Sequence, residues 1–251
     1  MTKTIFITGA TAGFGEACAR RYAKAGHKLI LTGRRKDRLD KLKSELKVPV
    51  HIAQLDIRDR EAIDACLAAL PGEFREIDIL LNNAGLALGL EPAHKVAIED
   101  WETMIDTNIK GLIYCTRAIL PGMVERDRGH VVNLGSMAGT YPYPGGNVYG
   151  ATKAFVHQFS LNLRADLLGS HIRVTSVEPG LAATEFSVVR FKGDTEKAKT
   201  PYQGMQPMTP DNIAQTIEFI TTILPEHVNI NTIEMMPVMQ AFSPMAVKRS
   251  G

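Results

Sequence analysis

The sequence contains few cysteines and histidines, and neither residue type is spaced as a crosslink or a metal site requires. Its 251 residues include three cysteines, Cys18, Cys66 and Cys115, which are far apart and odd in number. No C-x-x-C, H-x-x-x-H or H-E-x-x-H pattern is present. We therefore expect reduced thiols, no disulfide framework and no bound metal.

The chain also lacks a surplus of charge of one sign and a long apolar run. The formal net charge is +2, which leaves no basic footprint for nucleic acid. No apolar run reaches the ~18 residues that a membrane-spanning helix needs, and no secretory signal is visible. These absences predict a cytoplasmic enzyme or binding protein that contacts neither nucleic acid nor membrane.

Short apolar segments alternate with helical patterns along the whole chain. The segments show no polar alternation, which is typical of parallel strands that are buried on both faces. The alternation predicts an α/β fold, a Rossmann-like doubly wound parallel sheet with helices on both faces. The predicted strands are Thr4–Thr8, Lys28–Thr32, Val50–Leu55, Ile77–Leu81, Gly129–Leu134, Ile172–Val177 and, as a candidate, Thr232–Met236; the predicted helices are about Gly15–Ala25, Lys36–Leu46, Arg60–Leu70, Trp101–Arg126, Val148–Leu168 and one opened by Thr209.

The absence of linkers and repeats predicts one domain over residues 1–251. We assign about 1–135 to a cofactor half and about 136–251 to a catalytic and substrate half. The segment Leu181–Met208 has no clear period and contains several glycines and prolines. A long loop after a strand in such a fold is commonly a lid, so we expect a lid at about 181–208.

Tyr149 and Lys153 lie four residues apart in V-Y-G-A-T-K-A, on one face of a predicted helix. A cation beside a phenol favours the phenolate and lowers its pKa from about 10. Such a phenol would exchange a proton with an alcohol or carbonyl near neutral pH. A surface Tyr-Lys pair on an ordinary amphipathic helix is the alternative, and the pair alone does not decide between them.

A glycine-rich turn, T-G-A-T-A-G-F-G, joins the first strand to the first helix. Gly9, Gly13 and Gly15 keep side chains away from a turn that would approach a pyrophosphate closely. Free N–H groups at the helix N-terminus would then face the phosphate oxygens. A glycine-rich turn without a ligand is the alternative.

The second strand ends in T-G-R-R, and no Asp or Glu occurs between Leu29 and Lys36. An acid there would bind the adenosine ribose 2′-hydroxyl of NAD. Arg34 and Arg35 instead suit a 2′-phosphate through charge-assisted hydrogen bonds, so the pattern indicates NADP(H). Arg38 would add to the same positive patch. Two solvated arginines at a helix start are the alternative.

Together these features resemble the short-chain dehydrogenase/reductase family, from Thr8 to about Thr184. Further motifs carry the resemblance: L-D at Leu55-Asp56, N-N-A-G, the asparagine of D-T-N-I-K-G, the serine of N-L-G-S, and P-G after the sixth strand. The residues assigned to the cofactor are Gly9, Ala10, Thr11, Gly13, Phe14, Gly15, Arg34, Arg35, Arg38, Asp56, Ile57, Asn83, Ala84, Gly85, Tyr149, Lys153, Pro179, Gly180 and Thr184.

The resemblance implies hydride transfer between a nicotinamide and a substrate carbonyl carbon. It implies that Tyr149 gives or takes the proton, that Lys153 lowers its pKa and holds the nicotinamide ribose, and that Ser136 polarises the substrate oxygen. Asn108 would kink its helix and hold a water leading to Lys153; a core asparagine that caps backbone groups is the alternative. Relatives are usually tetramers that pair the two long helices, which implies a homotetramer here.

Within the family the chain is similar to bacterial NADP-dependent dehydrogenases of 3-hydroxy acids such as serine and allo-threonine, and to sulfoacetaldehyde reductases. We expect a small anionic 3-hydroxy acid or aldehyde, of the 3-hydroxypropionate and malonic semialdehyde class, with sulfoacetaldehyde as the alternative. Arg190, or less favourably Lys192, would grip the anion from the lid, unless this is a solvated basic loop. Tyr143 would shape the pocket or simply pack. A non-catalytic NADPH sensor is less favoured, because it would need only the glycine turn.

Overall fold

The apolar strands pair into one parallel sheet, as their lack of polar alternation predicts. The computed structural model describes residues 2–241, and over this range seven parallel strands have the order β3-β2-β1-β4-β5-β6-β7. The chain reverses direction across the sheet between β1 and β4, and a crevice opens there beyond the carboxyl ends of the strands. The strands are β1 Thr4–Ile7, β2 Lys28–Gly33, β3 Val50–Gln54, β4 Ile79–Asn82, β5 Gly129–Leu134, β6 Ile172–Pro179 and β7 Thr232–Met235.

Helices cover both faces of the sheet. Helices α1, α2 and α9 pack on one face around residues such as Ile7, Leu31 and Ile217, whereas α3, α5 and α6 pack on the other around Phe6 and Leu80. The single-domain, doubly wound prediction is confirmed in its architecture. The α-helices of residues 2–241 are α1 Gly13–Lys24, α2 Lys36–Glu45, α3 Arg60–Ala68, α4 Ile98–Ile105, α5 Leu112–Glu125, α6 Asn147–Asp166, α7 Glu185–Arg190, α8 Thr195–Lys199 and α9 Pro210–Glu218.

The predicted long helix Trp101–Arg126 is observed as one continuous helical segment that is interrupted in its middle by a π-helical stretch. A π-helical segment, Asp106–Gly111, joins α4 to α5. Such a segment admits one extra residue per turn and is found frequently at functional sites. It places Asn108, which is 2% exposed, against the neighbouring strand ends.

The lid segment is more regular than its sequence suggests. The helices α7 and α8 both lie in Leu181–Met208, and each is too short to show a period in the sequence. Two predicted helix starts are observed as expected: the Asp59 side chain accepts from Ala62 N at 3.0 Å, and Thr209 forms a capping box with Asn212.

Among the helices of residues 2–241, none is both long and apolar enough to cross a membrane. The same part of the chain contains no group of three or more His, Cys, Asp or Glu side chains placed to hold a metal ion. Cys18, Cys66 and Cys115 are free thiols, two of them buried and one partly buried.

Candidate active site

The glycine-rich turn is held in place from the next strand of the sheet. Gly9 and Gly13 have φ angles of +67° and +55°, which glycine adopts without strain. Asn83, just after β4, donates from Nδ2 to the backbone oxygens of Thr8 at 2.9 Å and Gly9 at 3.0 Å. A Cβ on Gly15 would lie 2.5 Å from both Gly9 O and Asn83 Nδ2. The turn therefore needs glycine for close approach of its own backbone as well as for a ligand.

A cleft of roughly 290 Å³ opens above this turn, beyond the carboxyl ends of β1 and β4. It collects most residues that the sequence assigned to a dinucleotide. Ala10 is an exception, because its methyl group is fully buried in the core beneath the turn. The predicted residues that line the cleft are Gly9, Thr11, Gly13, Phe14, Arg34, Arg35, Asp56, Ile57, Asn83, Ala84, Gly85 and Thr184; those that do not are Ala10, Gly15, Arg38, Tyr149, Lys153, Pro179 and Gly180.

The three arginines after β2 have different surroundings. Arg34 is exposed at the cleft, and its guanidinium makes no hydrogen bond or ion pair with any residue in the described range 2–241. Arg35 donates from Nε and Nη2 to Thr11 Oγ1 at 3.2 and 2.9 Å, and from Nη1 to Glu185 at 3.0 Å. Arg38 donates from Nη1 to both carboxylate oxygens of Glu185 at 2.7 and 2.8 Å. Arg34 is thus the arginine with donors to offer an anion.

The L-D motif forms the opposite wall of the cleft. Arg58 donates from Nη2 to Asp56 Oδ2 at 2.6 Å, and this hydrogen bond is the main reason that the pKa of Asp56 lies below its usual value. Ile57 is 6% exposed and packs against Gly111 of the π-helical segment. Arg58 was not predicted from the sequence, because no motif marks it.

Two glycines press helix α6 against the turn that carries Ser136. A Cβ on Gly139 would lie 2.7 Å from the carbonyl carbon of Lys153, and a Cβ on Gly150 would lie 2.9 Å from Ala138 O. This close packing brings Ser136 beside Tyr149, and a hydrogen bond between the two side chains opposes the rise in the pKa of Tyr149 that burial causes. The serine and the tyrosine are therefore neighbours, as the motif spacing requires.

Lys153 is buried but does not reach the Tyr149 hydroxyl. Its Nζ donates to Leu134 O at 2.7 Å and lies 5.9 Å from the centroid of the Tyr149 ring. Burial lowers the pKa of Lys153 from 10.5 to about 8. The ammonium lies between Leu134, the last residue of β5, and Gly85, which lines the cleft.

The phenol of Tyr149 is less acidic than the sequence argument expected. Burial raises its pKa to about 12, and this effect exceeds the lowering by the Arg190 charge and by Ser136. Lys153 does not contribute to the lowering. The expectation of a pKa below 10 was therefore wrong, because it counted the neighbouring cation and left out the loss of hydration on burial.

Asn108 uses its amide on protein groups. Its Oδ1 accepts from Leu86 N at 2.9 Å, and its Nδ2 donates to Leu86 O at 2.8 Å and to Thr152 Oγ1 at 3.0 Å. Thr152 in turn donates to Tyr149 O at 2.8 Å. These bonds match the alternative of an asparagine that caps backbone groups, and they tie the π-helical segment to α6. A role in a water relay stays a prediction.

Arg190, the last residue of α7, lies over the tyrosine pair. Its guanidinium carbon is 4.9 Å from the Tyr149 ring centroid and 5.2 Å from that of Phe186. Its Nη2 donates to Tyr143 Oη at 3.0 Å, and its Nε is buried without a hydrogen-bond partner. No carboxylate pairs with it among residues 2–241. Lys192, by contrast, forms an ion pair with Asp100 at 2.7 Å.

The segment after β6 connects the two ends of the site. Pro179 O faces Ser136 Oγ at 3.5 Å, and Gly180 N donates to Met235 O at 2.8 Å. The Thr184 side chain caps α7 by accepting from Phe186 N at 3.1 Å. Sequence reasoning missed Glu185 and Phe186; a Thr-Glu pair at a helix start is the signal that would have pointed to the first.

Comparison with known proteins places the chain among dehydrogenases. Residues 3–194 match the family described as short chain dehydrogenase. The chain is 63% identical over 247 residues to the NADP-dependent 3-hydroxy acid dehydrogenase YdfG of Salmonella typhi, covering 98% of this chain and 99% of that protein. It is 54% identical over 249 residues to a serine 3-dehydrogenase of Agrobacterium fabrum, covering 99% of both.

One solved structure is similar over nearly the whole fold. It is described as the closed form of serine dehydrogenase complexed with NADP+, and it superposes with a TM-score of 0.97. The sequence identity is 61%, with 98% of this chain and 100% of that chain covered.

Proposed function

The chain belongs to the short-chain dehydrogenase family, and from this premise we propose that it interconverts a small anionic 3-hydroxy acid and its carbonyl product with NADP(H). It is an NADP-dependent dehydrogenase acting on a hydroxyl group, as its relatives are. The substrate class within that activity is the proposal. The observation that carries it is the half-buried guanidinium of Arg190 beside Tyr149, which has no carboxylate partner among residues 2–241.

The residues of the cleft fit a phosphorylated dinucleotide. The turn at Gly9 and Gly13 presents backbone without side chains, and the N-terminus of α1 supplies free N–H groups for a pyrophosphate. Arg34 offers a guanidinium that has no partner among residues 2–241, at the position where NAD-binding sites carry an acid. These residues would hold the adenosine half and its 2′-phosphate.

The bound dinucleotide supplies the hydride donor or acceptor. Ser136 would hydrogen-bond the substrate oxygen, and Tyr149 would give it a proton in reduction or take one in oxidation. Lys153, with a pKa of about 8, is mostly protonated near neutral pH and would stabilise the phenolate as it forms. In this scheme Tyr149 transfers the proton to or from the substrate oxygen, and Ser136 and Lys153 assist it.

Arg190 would bind the anionic group of the substrate. A guanidinium enclosed by aromatic rings is poorly hydrated, and without a carboxylate partner it favours an anion strongly. Its position over Tyr149 places that anion a few ångströms from the reacting oxygen. A 3-hydroxy acid has this short separation between its carboxylate and its hydroxyl group, and so does sulfoacetaldehyde between its sulfonate and its carbonyl.

A steady-state comparison of kcat/KM tests the substrate class. The substrates are serine, 3-hydroxypropionate, malonic semialdehyde and sulfoacetaldehyde, with propionaldehyde as a neutral control, and NADPH absorbance is the readout. We expect the carboxylates to have the highest kcat/KM. A higher kcat/KM for sulfoacetaldehyde would make the sulfonate, and not the carboxylate, the proposed substrate. A higher kcat/KM for propionaldehyde would refute the anion site. Binding of NADPH without turnover of any of these compounds would favour a sensor.

Two further predictions concern the whole protein. The homotetramer and the cytoplasmic location expected from the sequence both stay predictions.

A further inference from the structure

The lid helix α7 spans the distance between two charged sites. Its first residue, Glu185, lies at the arginines of the adenosine end, and its last residue, Arg190, lies over Tyr149. Six residues at 1.5 Å each make a helix of about 9 Å. A helix this short is not stable in isolation, so its position depends on tertiary contacts. These are apolar at Phe186, which packs against Tyr149, and polar or charged at the two ends of the helix.

At the first end, Glu185 bridges two arginines that are themselves fixed. Its carboxylate accepts from Arg35 Nη1 at 3.0 Å and from Arg38 Nη1 at 2.7 and 2.8 Å. Arg35 is held on the glycine turn by Thr11 Oγ1, to which its Nη2 donates at 2.9 Å. The lid is thereby tied to the turn through a chain of charge-assisted hydrogen bonds.

At the other end, Arg190 has polar contacts from two segments. Its Nη2 donates to Tyr143 Oη at 3.0 Å, and its backbone oxygen accepts from Gly89 N at 2.9 Å. In the middle of the helix, Ser187 Oγ and Tyr202 Oη are hydrogen-bonded at 2.7 Å, but both belong to the lid itself. Glu185 is therefore the tether that joins the start of α7 to the cofactor cleft.

The arginine charges are sufficient to bind both Glu185 and a phosphate. Arg34, Arg35 and Arg38 carry three positive charges, and Glu185 offsets one of them. A 2′-phosphate carries a charge of about −1.5 to −2 near neutral pH, so it would neutralise the remainder. Arg34, which Glu185 does not touch, is the arginine open to that phosphate.

We propose that Glu185 is a positioning residue, which fastens the lid helix to Arg35 and Arg38 and thereby places Arg190 over Tyr149. The role rests on the proposed function, since it links an NADP-binding cleft to an anionic substrate. Through α7, a change at the phosphate end alters how well the substrate anion is held.

The variant Glu185→Gln tests the role. The lid is then less often in place, so KM for the anionic substrate rises about 3- to 10-fold while kcat changes by less than about twofold. The dissociation constant of adenosine 2′,5′-bisphosphate, measured by calorimetry, does not rise, because the variant removes a negative charge beside the arginines. An unchanged KM, or a loss of nucleotide affinity equal to the loss of substrate affinity, would overturn the proposal.

A readout without turnover comes from proteolysis of the lid. Lys197 and Lys199 are exposed in α8, so trypsin reports how often the lid is displaced. We expect Glu185→Gln to be cut several-fold faster than wild type. The control is Glu196→Gln, which removes the same charge from a lid residue whose one ion pair within residues 2–241 is with Lys199. Equal rates for wild type and both variants would contradict the tether.

A charge exchange separates a specific pair from general disturbance. Glu185→Arg combined with Arg38→Glu keeps the net charge and allows the ion pair in reverse. We expect KM for the anionic substrate to be raised in Glu185→Arg and to return most of the way to the wild-type value in the double variant. If the increases in KM of the two single variants simply combine in the double variant, the result would argue against the pair. If wild type binds no 2′,5′-bisphosphate, the proposed function fails; if it binds and Glu185→Gln behaves as wild type, only the positioning role fails.

Discussion

The guanidinium carbon of Arg190 lies 4.9 Å from the centroid of the Tyr149 ring, closer than Lys153 Nζ at 5.9 Å. Of these two cations, the one nearer to the phenol ring therefore comes from the lid and not from the helix that carries the tyrosine. The residue proposed to bind the substrate anion is thus in contact with the residue proposed to move the proton.

Replacing Arg190 tests the anion site. We expect Arg190→Ala to lower kcat/KM for anionic substrates by about 10- to 100-fold, because a charge-assisted hydrogen bond to the anion is lost. For propionaldehyde the change should stay within a few-fold. Arg190→Lys, which keeps the charge without the planar fork, should fall between them. Equal losses for neutral and anionic substrates would show that Arg190 does not bind the anion.

Removing the Tyr149 hydroxyl tests the proton-transfer assignment. Tyr149→Phe should keep NADPH affinity and lose roughly 10²- to 10⁴-fold in kcat, the usual contribution of a general acid or base. The control is Tyr22→Phe, since Tyr22 is also buried, its hydroxyl bonds Thr221 at 2.8 Å, and it packs on the face of the sheet opposite to α6. That variant should lose about 1 kcal/mol of stability and no turnover. Near-normal turnover of Tyr149→Phe would remove the assignment.

The buried ammonium of Lys153 predicts a gain in stability when it is replaced. Its pKa falls from 10.5 to about 8 on folding, which corresponds to roughly 3 kcal/mol of destabilisation at neutral pH. Lys153→Met removes this cost but leaves Leu134 O without its donor, so we expect a net gain of about 1–2 kcal/mol at pH 7. Turnover should be lost. Chemical unfolding of both proteins at pH 7 checks the gain.

The same pKa predicts how that gain depends on pH. Below about pH 8 the lysine is protonated in both the folded and the unfolded state, and the full cost is present. Between about 8 and 10 the unfolded state binds more protons, so wild-type stability rises with pH relative to Lys153→Met. The difference between the two proteins should therefore shrink over this range. A constant difference from pH 6 to pH 10 would contradict a charged, buried Lys153.

Replacing Arg34 tests whether this residue selects NADPH over NADH. Arg34→Ala removes a guanidinium that has no partner in the described part of the chain. We expect the dissociation constant of NADPH to rise about 10- to 100-fold while that of NADH changes little. Arg58→Ala is a matched control, because Arg58 also lines the cleft but is paired with Asp56 at 2.6 Å. A similar loss for both nucleotides in Arg34→Ala would argue against a 2′-phosphate contact.

The close approach at Gly15 predicts a large penalty for a single methyl group. A Cβ there would lie 2.5 Å from the Gly9 oxygen, so Gly15→Ala must displace the turn and should cost about 1–3 kcal/mol or more. NADPH binding should weaken with it. At Gly72 a Cβ would meet nothing within 4 Å, so Gly72→Ala should unfold as wild type does. Thermal unfolding with and without NADPH measures both effects.

The local pattern of the sequence determined the architecture and the ends of the elements that hold the cleft. The bounds of strand Gly129–Leu134 were predicted to the residue, because a short apolar run between turn residues is a local pattern that indicates a buried strand. The glycine turn and the caps at Asp59 and Thr209 are local in the same sense. The helices α7 and α8 were missed, since five or six residues are too few to show a period.

Only the tertiary structure decided which charges act on which groups. Arg34 and Arg35 cannot be told apart in the sequence. What distinguishes them is Glu185, which lies 150 positions further along the chain than Arg35 and forms an ion pair with it. Tyr149 and Lys153 share a helix face, yet burial and Arg190 set the acidity of the phenol. Backbone conformation depends on neighbours in the chain, whereas pKa values and ion pairs depend on hydration and on distances between residues that only folding brings together.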